Sequence, residues 1–151
     1  MLYSLSQRTT SGTIAAAAWE VRAGASNKPR ILEIGISINA ATASVFGLGR
    51  PAAIGITPTT PVTFLDESDG GAGATTAPAG ATTACVAWGT GPTVPANFFR
   101  RVSLPATVGA GVIWTFLRGL GIPQLVGTTG SVVLWNITAT SVADVYAVVD
   151  E

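Results

Sequence analysis

The strongest constraint in this sequence is an alternation of apolar and polar residues with a period of two. In the segment 31–39, every second residue is apolar, and these residues are Leu32, Ile34, Ile36 and Ile38. A strand points successive side chains to opposite faces, so one face of this segment would meet a core and the other would not. Segment 19–23 alternates in the same way, and segment 2–10 alternates more weakly. The pattern predicts β-strands.

Further segments rich in Val, Ile, Phe, Trp and Thr follow at short intervals, separated by Gly, Pro, Asn and Asp. They are 45–48, 53–57, 62–65, 83–88, 98–104, 112–117, 131–136 and 144–149. The 18 glycines and nine prolines leave little room for helices. We therefore predict an all-β fold with a single β-sandwich, most simply a jelly roll of about eight strands. An immunoglobulin-like sandwich is the alternative. Residues 1–12 are expected to form an N-terminal edge strand or arm, and 13–151 the sandwich domain.

The chain carries few charges and no net charge. Lys+Arg and Asp+Glu are eight each, or 11% of 151 residues, where roughly 25% is usual. Folded, a chain of this mass exposes about 7,000 Å², so its charges are sparse for a free monomer. This sparseness predicts that much of the surface lies against other subunits. Neutrality argues against nucleic acid and anionic lipid as partners. The two long uncharged stretches contain too many Gly, Pro and Thr for a membrane span.

Composition also excludes most catalytic and metal sites. The chain contains no His, so a Ser–His–Asp triad and the usual His-based zinc sites are excluded. The one Cys, Cys85, cannot form an internal disulfide or a thiolate cluster, and we expect it to be buried. No pattern pairs the carboxylates as a glycoside hydrolase requires. We therefore expect no catalytic residues, no cofactor, no metal ion and no enzyme activity.

One acidic segment resembles part of a calcium loop. Asp66, Glu67 and Asp69 precede Gly70, but the next acid is Asp144. A calcium ion needs six to eight oxygen ligands, usually including a bidentate Glu at the end of the loop. The sequence therefore predicts a solvated acidic surface loop over 66–81, rich in Gly and Ala.

The candidate contact residues are arginines and terminal aromatic residues. Arg100 and Arg101 are adjacent within an apolar strand, and strand neighbours point to opposite faces. We expect one of them to face solvent or a partner and the other to face inward or a subunit interface. The four tryptophans are expected in the core. The predicted partner-interface residues are Leu2, Tyr3, Arg8, Arg100, Arg101 and Tyr146.

Five segments together suggest a family. They are GRPAAIGITP at 49–58, AWGTGPTVP at 87–95, VIWTF at 112–116, SVVLWN at 131–136 and DVYAVVDE at 144–151. In combination they resemble small virion proteins of tailed bacteriophages, more narrowly the jelly-roll capsid decoration (cement) proteins. The resemblance extends from about residue 19 to residue 151 and includes no catalytic motif. It implies a homotrimer on the capsid exterior, bound to the major capsid protein and made in the host cytoplasm.

Two other functions stay open. The chain could be the head domain of a phage tail fibre or receptor-binding protein, which would bind host cells or glycans. It could also be a carbohydrate-binding β-sandwich module, which would be a monomer. The oligomeric state separates the second of these from both phage functions.

Overall fold

The fold is built from β-strands. The computed structural model describes residues 2–10, 16–67, 82–117, 120–124, 130–138 and 141–151. Within these ranges there are fourteen strands and no helix, which confirms the all-β prediction. The strands are β1 (Leu2–Arg8), β2 (Ala16–Arg22), β3 (Arg30–Ile38), β4 (Ser44–Gly49), β5 (Ile56–Pro58), β6 (Val62–Thr63), β7 (Leu65–Asp66), β8 (Thr83–Cys85), β9 (Trp88–Thr90), β10 (Arg100–Leu104), β11 (Gly111–Thr115), β12 (Ile122–Pro123), β13 (Ser131–Asn136) and β14 (Ala143–Asp150). No helix that could span a membrane is found in the described part of the chain.

Most strands belong to two six-stranded antiparallel sheets. Sheet A has the order β11-β3-β14-β1-β7, with β12 also paired to β3. Sheet B has the order β10-β4-β13-β2-β8-β6, and β5 and β9 form a separate pair. The buried apolar side chains of both sheets form one cluster. The two sheets therefore pack as a sandwich around a shared core.

The eight longest strands pair in a nested order. The first, β1, pairs with the last, β14, while β2 pairs with β13, β3 with β11 and β4 with β10. Two further ladders, β14–β3 and β13–β4, join these pairs into the two sheets. Strands β1, β3, β11 and β14 lie in sheet A, and β2, β4, β10 and β13 lie in sheet B.

The N-terminal segment is part of sheet A. Strand β1 pairs along seven residues with β14 and at two residues with β7. Its inward positions, Tyr3 and Leu5, are buried in the core. The division between residues 1–12 and 13–151 stays a prediction.

Strand β3 departs from the predicted alternation at Leu32. The ladder with β14 shifts register there, so that Glu33 pairs with Val148 but Ile31 pairs with Val149. This β-bulge leaves Leu32 half-buried, and Ile31 is fully buried instead. The expectation that Leu32 lies on the core face is therefore wrong. An extra residue in one strand changes which side chains face inward from that point on.

Sheet B is covered on its outer face as well as on its inner face. Every residue of β13 is buried, including Val133 and Trp135, which alternate with the core residues of that strand. The Phe98 ring lies against Gly47, where a Cβ atom would stand only 2.8 Å from Phe98 Cδ1. Gly47 is needed here because of this close approach. Residues 88–98, which precede β10, thus pack a further layer onto sheet B.

This covered face contains a fully buried carboxylate, that of Glu20. Its Oε1 lies 3.0 Å from Arg22 Nε, and its Oε2 accepts hydrogen bonds from the Trp88 indole N–H and, at 3.6 Å, from the Cys85 thiol. Arg22 also donates to the Gly55 carbonyl oxygen. Burial and the nearby carboxylate raise the pKa of Cys85 to about 12. Glu20 therefore connects β2 to β8, and through Trp88 to the covering layer.

Cys85 is free and buried, which confirms the prediction from sequence. With its pKa raised to about 12, the thiol is protonated at neutral pH. A protonated and buried thiol reacts slowly with alkylating reagents.

Replacing Glu20→Ala is expected to lower the free energy of unfolding by about 3–5 kcal/mol, because Arg22 would lose its carboxylate partner in a largely buried site. Urea denaturation followed by tryptophan fluorescence measures the change. Lys28→Ala is the control, since Lys28 is exposed and such changes stay within about 0.5 kcal/mol. Equal unfolding midpoints for the two variants would contradict a stabilising role for this cluster.

Candidate partner interface

The six residues predicted for a partner interface do not form one patch. Strand β1 starts with Leu2 and Tyr3 and ends with Arg8, and Tyr146 lies in the middle of β14. Arg100 and Arg101 start β10, which is an edge strand of the other sheet. Each location offers a different surface.

Tyr3 is not a surface residue. Its side chain is 3% exposed and belongs to the core cluster, and its contact with a partner stays a prediction. Burial, followed by the nearby Asp66 and Glu151 carboxylates, raises the pKa of its phenol. Leu2, beside it, is half-buried. Alternation along β1 explains the outcome, because Tyr3 and Leu5 share the inward face.

Arg8 already has a partner within the chain. It pairs with Asp144 across the β1–β14 ladder, with Nε 2.7 Å from Oδ1 and Nη2 3.0 Å from Oδ2. The hydrogen bonds from Arg8 lower the pKa of the Asp144 carboxyl. Both side chains are about half exposed, and such surface pairs contribute about 1 kcal/mol or less. Arg8 and Asp144 stand directly opposite each other in the β1–β14 ladder. Because each neutralises the other, the pair leaves little free charge for a partner protein.

Tyr146 lies on the outer face of sheet A, beside a shallow pocket of about 410 Å³. Its ring covers Gly35, where a Cβ atom would stand 1.9 Å from Tyr146 Cε1. The phenol donates a 2.6 Å hydrogen bond to Glu33 Oε1, and this bond together with partial burial raises the pKa of Tyr146 to about 12. The polar side chains lining the pocket are Ser6, Ser37, Asp144 and Tyr146. The pocket thus combines an aromatic ring with hydroxyls and a carboxylate.

Arg100 and Arg101 are both exposed at the start of β10. Alternation puts Arg100 on the same face as Val102 and Leu104, which contact the core. Arg100 nevertheless stays exposed, because it lies at the rim of the sandwich beyond the core. The two arginines thus point to opposite faces of β10, and neither is buried within the chain, while their contact with a partner stays a prediction.

Three arginines on this edge stack on phenylalanine rings. The guanidinium carbons lie 5.6–5.9 Å from the ring centroids. The pairs are Arg50 over Phe99, Arg100 over Phe116 and Arg101 over Phe98. Among the described residues, no carboxylate lies within ion-pair distance of these three arginines. Stacking holds each planar guanidinium in place while leaving positive charge for a partner.

The sequence reasoning missed Arg50 and the phenylalanines. Arg50 is half-buried, donates to the Pro123 carbonyl oxygen, and has its pKa lowered by burial. The signal available in the sequence was the run Phe98-Phe99-Arg100-Arg101, in which aromatic and basic residues are adjacent.

Large apolar side chains are exposed along the same edge. Four of them, on β11 and on the segments that flank it, are between 61% and 75% exposed. They are Val108, Ile113, Leu117 and Leu120. Strand β11 is the edge of sheet A, as β10 is of sheet B, so apolar side chains adjoin unpaired backbone groups here. These exposed apolar side chains make the edge a candidate surface for association with a partner.

The described residues hold no group of three or more His, Cys, Asp or Glu side chains that could bind a metal ion. Comparison of the chain with protein-family models, curated proteins and solved structures found no match.

The hydrogen bond from Tyr146 to Glu33 predicts a pH dependence of stability. The phenol has a pKa of about 12 in the folded chain and 10.0 ordinarily. The bond therefore contributes fully below pH 10, and its contribution is lost as the pH rises from 10 towards 12. Unfolding midpoints in urea at about pH 9 and about pH 11 measure the loss. Tyr146→Phe should show a smaller fall, and an equal fall would contradict the assignment.

Proposed function

We propose that the chain is a structural virion protein of a tailed bacteriophage. It decorates the capsid exterior and stabilises the shell, binding the major capsid protein across capsomer joints as a homotrimer. The observation that carries the proposal is the edge formed by β10 and β11, where stacked arginines adjoin four exposed apolar side chains. A surface of this composition favours protein partners, because Arg and aromatic residues are enriched at interfaces.

We also propose that the sandwich is a jelly roll, the fold implied by the sequence resemblance. The nested pairing of the eight longest strands supports it, because a long antiparallel hairpin rolled upon itself gives this order. In such a roll, paired strands alternate between the two sheets: β1·β14 and β3·β11 in one, β2·β13 and β4·β10 in the other. An immunoglobulin-like sandwich would not place the first and last strands side by side at the centre of one sheet.

The composition of the surface supports self-association. The chain has an accessible surface of 7123 Å² and sixteen charged residues, eight of each sign. That is about one charge for every 450 Å², well below the density that keeps small domains monomeric. A homo-oligomer would cover part of this weakly charged surface.

The proposed protein stabilises the capsid shell mechanically, through added contacts. A decoration protein adds buried area across the joints between capsomers, and a trimer makes several such contacts at once. Linked contacts of modest strength sum to strong binding. The unpaired edges of β10 and β11 could also add backbone hydrogen bonds to a neighbouring sheet. Neither step needs a cofactor.

A second candidate function is favoured by the pocket beside Tyr146. A glycan-binding site combines an aromatic ring with hydroxyl and carboxylate groups, and the pocket presents these with Ser6, Ser37 and Asp144. The chain would then be the head of a receptor-binding or tail-fibre protein, or a carbohydrate-binding module. We rank it second because the ring of Tyr146 packs on Gly35 and its hydroxyl is bonded to Glu33.

The proposal predicts a native mass of about 46 kDa, three times 15.2 kDa, by light scattering after size exclusion. The trimer should sediment with assembled capsid shells but not bind unassembled capsid protein with equal affinity.

A monomer at every concentration that also fails to sediment with shells would contradict the proposal. A trimer that binds cells or glycans and not shells would favour the receptor-binding alternative. A monomer whose tryptophan fluorescence responds to a glycan would favour the carbohydrate-binding module.

A further inference from the structure

The sandwich has two narrow sides, and they differ in charge. Strands β10 and β11 follow each other in the chain and form one edge of sheet B and of sheet A. Strands β6 and β7 also follow each other and form the opposite edge of each sheet, with Phe64 buried between them. We call the first the arginine side, after Arg50, Arg100 and Arg101, and the second the acidic side, after Asp66 and Glu67.

Each side combines its charge with exposed apolar residues. The arginine side has Ile113, and the acidic side has Val62 and Leu65, which are 41% and 43% exposed. On the acidic side, Glu67 is exposed, and its backbone N–H donates to the Leu2 carbonyl oxygen. The two sides are therefore complementary in charge and similar in apolar character.

The opposite charges lie at the same level along the strands. One row of paired residues crosses sheet A from the acidic side, and it consists of Asp66, Tyr3, Val149 and Ile31. The next residue, Leu32, accepts a 2.6 Å hydrogen bond at its carbonyl oxygen from Phe116 N–H, and Arg100 lies over the Phe116 ring. Asp66 and Phe116, whose ring lies under the Arg100 guanidinium, are thus about one residue apart along the strands, on opposite sides of sheet A.

We propose that the arginine side of one copy binds the acidic side of the next copy, in a head-to-tail contact. The contact rests on the proposed homotrimer and assigns the surfaces that form it. In a closed ring, the copies are related by rotation about one axis. If that axis is parallel to the strands, each residue keeps its position along the strand direction, so the arginine side of one copy meets the acidic side of the next at the same level. A contact between two arginine sides would instead bring unpaired positive charges together.

Charge reversal on either side tests the contact. Arg100→Glu with Arg101→Glu, and separately Glu67→Arg, should each raise the dissociation constant of the oligomer about 30-fold or more, because like charges would face each other. Lys28→Glu is the control, since Lys28 is an exposed basic residue outside both sides. Sedimentation velocity measures the masses, and circular dichroism verifies the folding of each variant.

Cross-linking tests the orientation. Arg101→Cys and Glu67→Cys in one chain should give covalent trimers with a flexible bismaleimide, while either change alone should give none. The native Cys85 adds no background, because it is buried and has a pKa of about 12. Covalent dimers from Arg101→Cys alone would overturn the proposal, since they require a symmetric contact.

The outcomes separate this inference from the proposed function. A monomeric wild-type chain would overturn both. A wild-type trimer whose charge-reversal variants match Lys28→Glu would leave the function standing and overturn the head-to-tail contact. The wild-type chain could instead be a monomer that lowers the electrophoretic mobility of a single-stranded oligonucleotide by binding it. If Arg100→Glu with Arg101→Glu abolished that binding, the arginine side would be assigned to a polyanion and not to a second copy.

Discussion

The pairing of the two chain ends holds this fold together. Seven residue pairs, from Leu2 with Asp150 to Arg8 with Asp144, join β1 to β14. Strand β14 also pairs with β3, so the centre of sheet A is complete only when the last strand is in place. Pairing strands so distant in sequence carries a large loop-closure cost and slows folding. Both narrow sides depend on this pairing, since β7 is attached to β1 and β11 to β3.

The two sheets use their outer faces differently. Sheet B is covered by residues 88–98, which are anchored by the buried Glu20 and by Phe98 against Gly47. Sheet A leaves its outer face open around Tyr146. A buried charge cluster is a weak source of net stability, but it penalises arrangements that leave one partner without the other. We infer that Glu20 specifies where the covering layer sits, and that this layer in turn positions Phe98 and Phe99 under the arginines.

The strands could be predicted from the sequence, and the side-chain roles only in part. Alternation located β1, β2 and β3, and runs of Val, Ile, Phe, Trp and Thr located the other long strands, because both signals are local. It failed at Leu32, where a bulge in pairing with a distant strand shifts the inward face. It also gave no means of knowing that Glu20 is buried, because the covering layer comes from residues much later in the chain. The burial of Tyr3 was not predictable either, because it depends on β1 pairing with β14 and β7, which are distant in sequence.

A net charge of zero conceals an uneven distribution. Arg50, Arg100 and Arg101 lie on one narrow side of the sandwich and Asp66 and Glu67 on the opposite one, while the other charged residues that the structure describes lie elsewhere. In the head-to-tail contact that we propose, net neutrality avoids long-range repulsion between identical copies, and the two oppositely charged sides attract each other at short range. Stacking on Phe116 and Phe98 orders Arg100 and Arg101 before any contact, so less side-chain entropy is lost on binding. In the contact that we propose, these ordered arginines of one copy would meet the Glu67 carboxylate of the next, so a chain with few charges can still associate through charge.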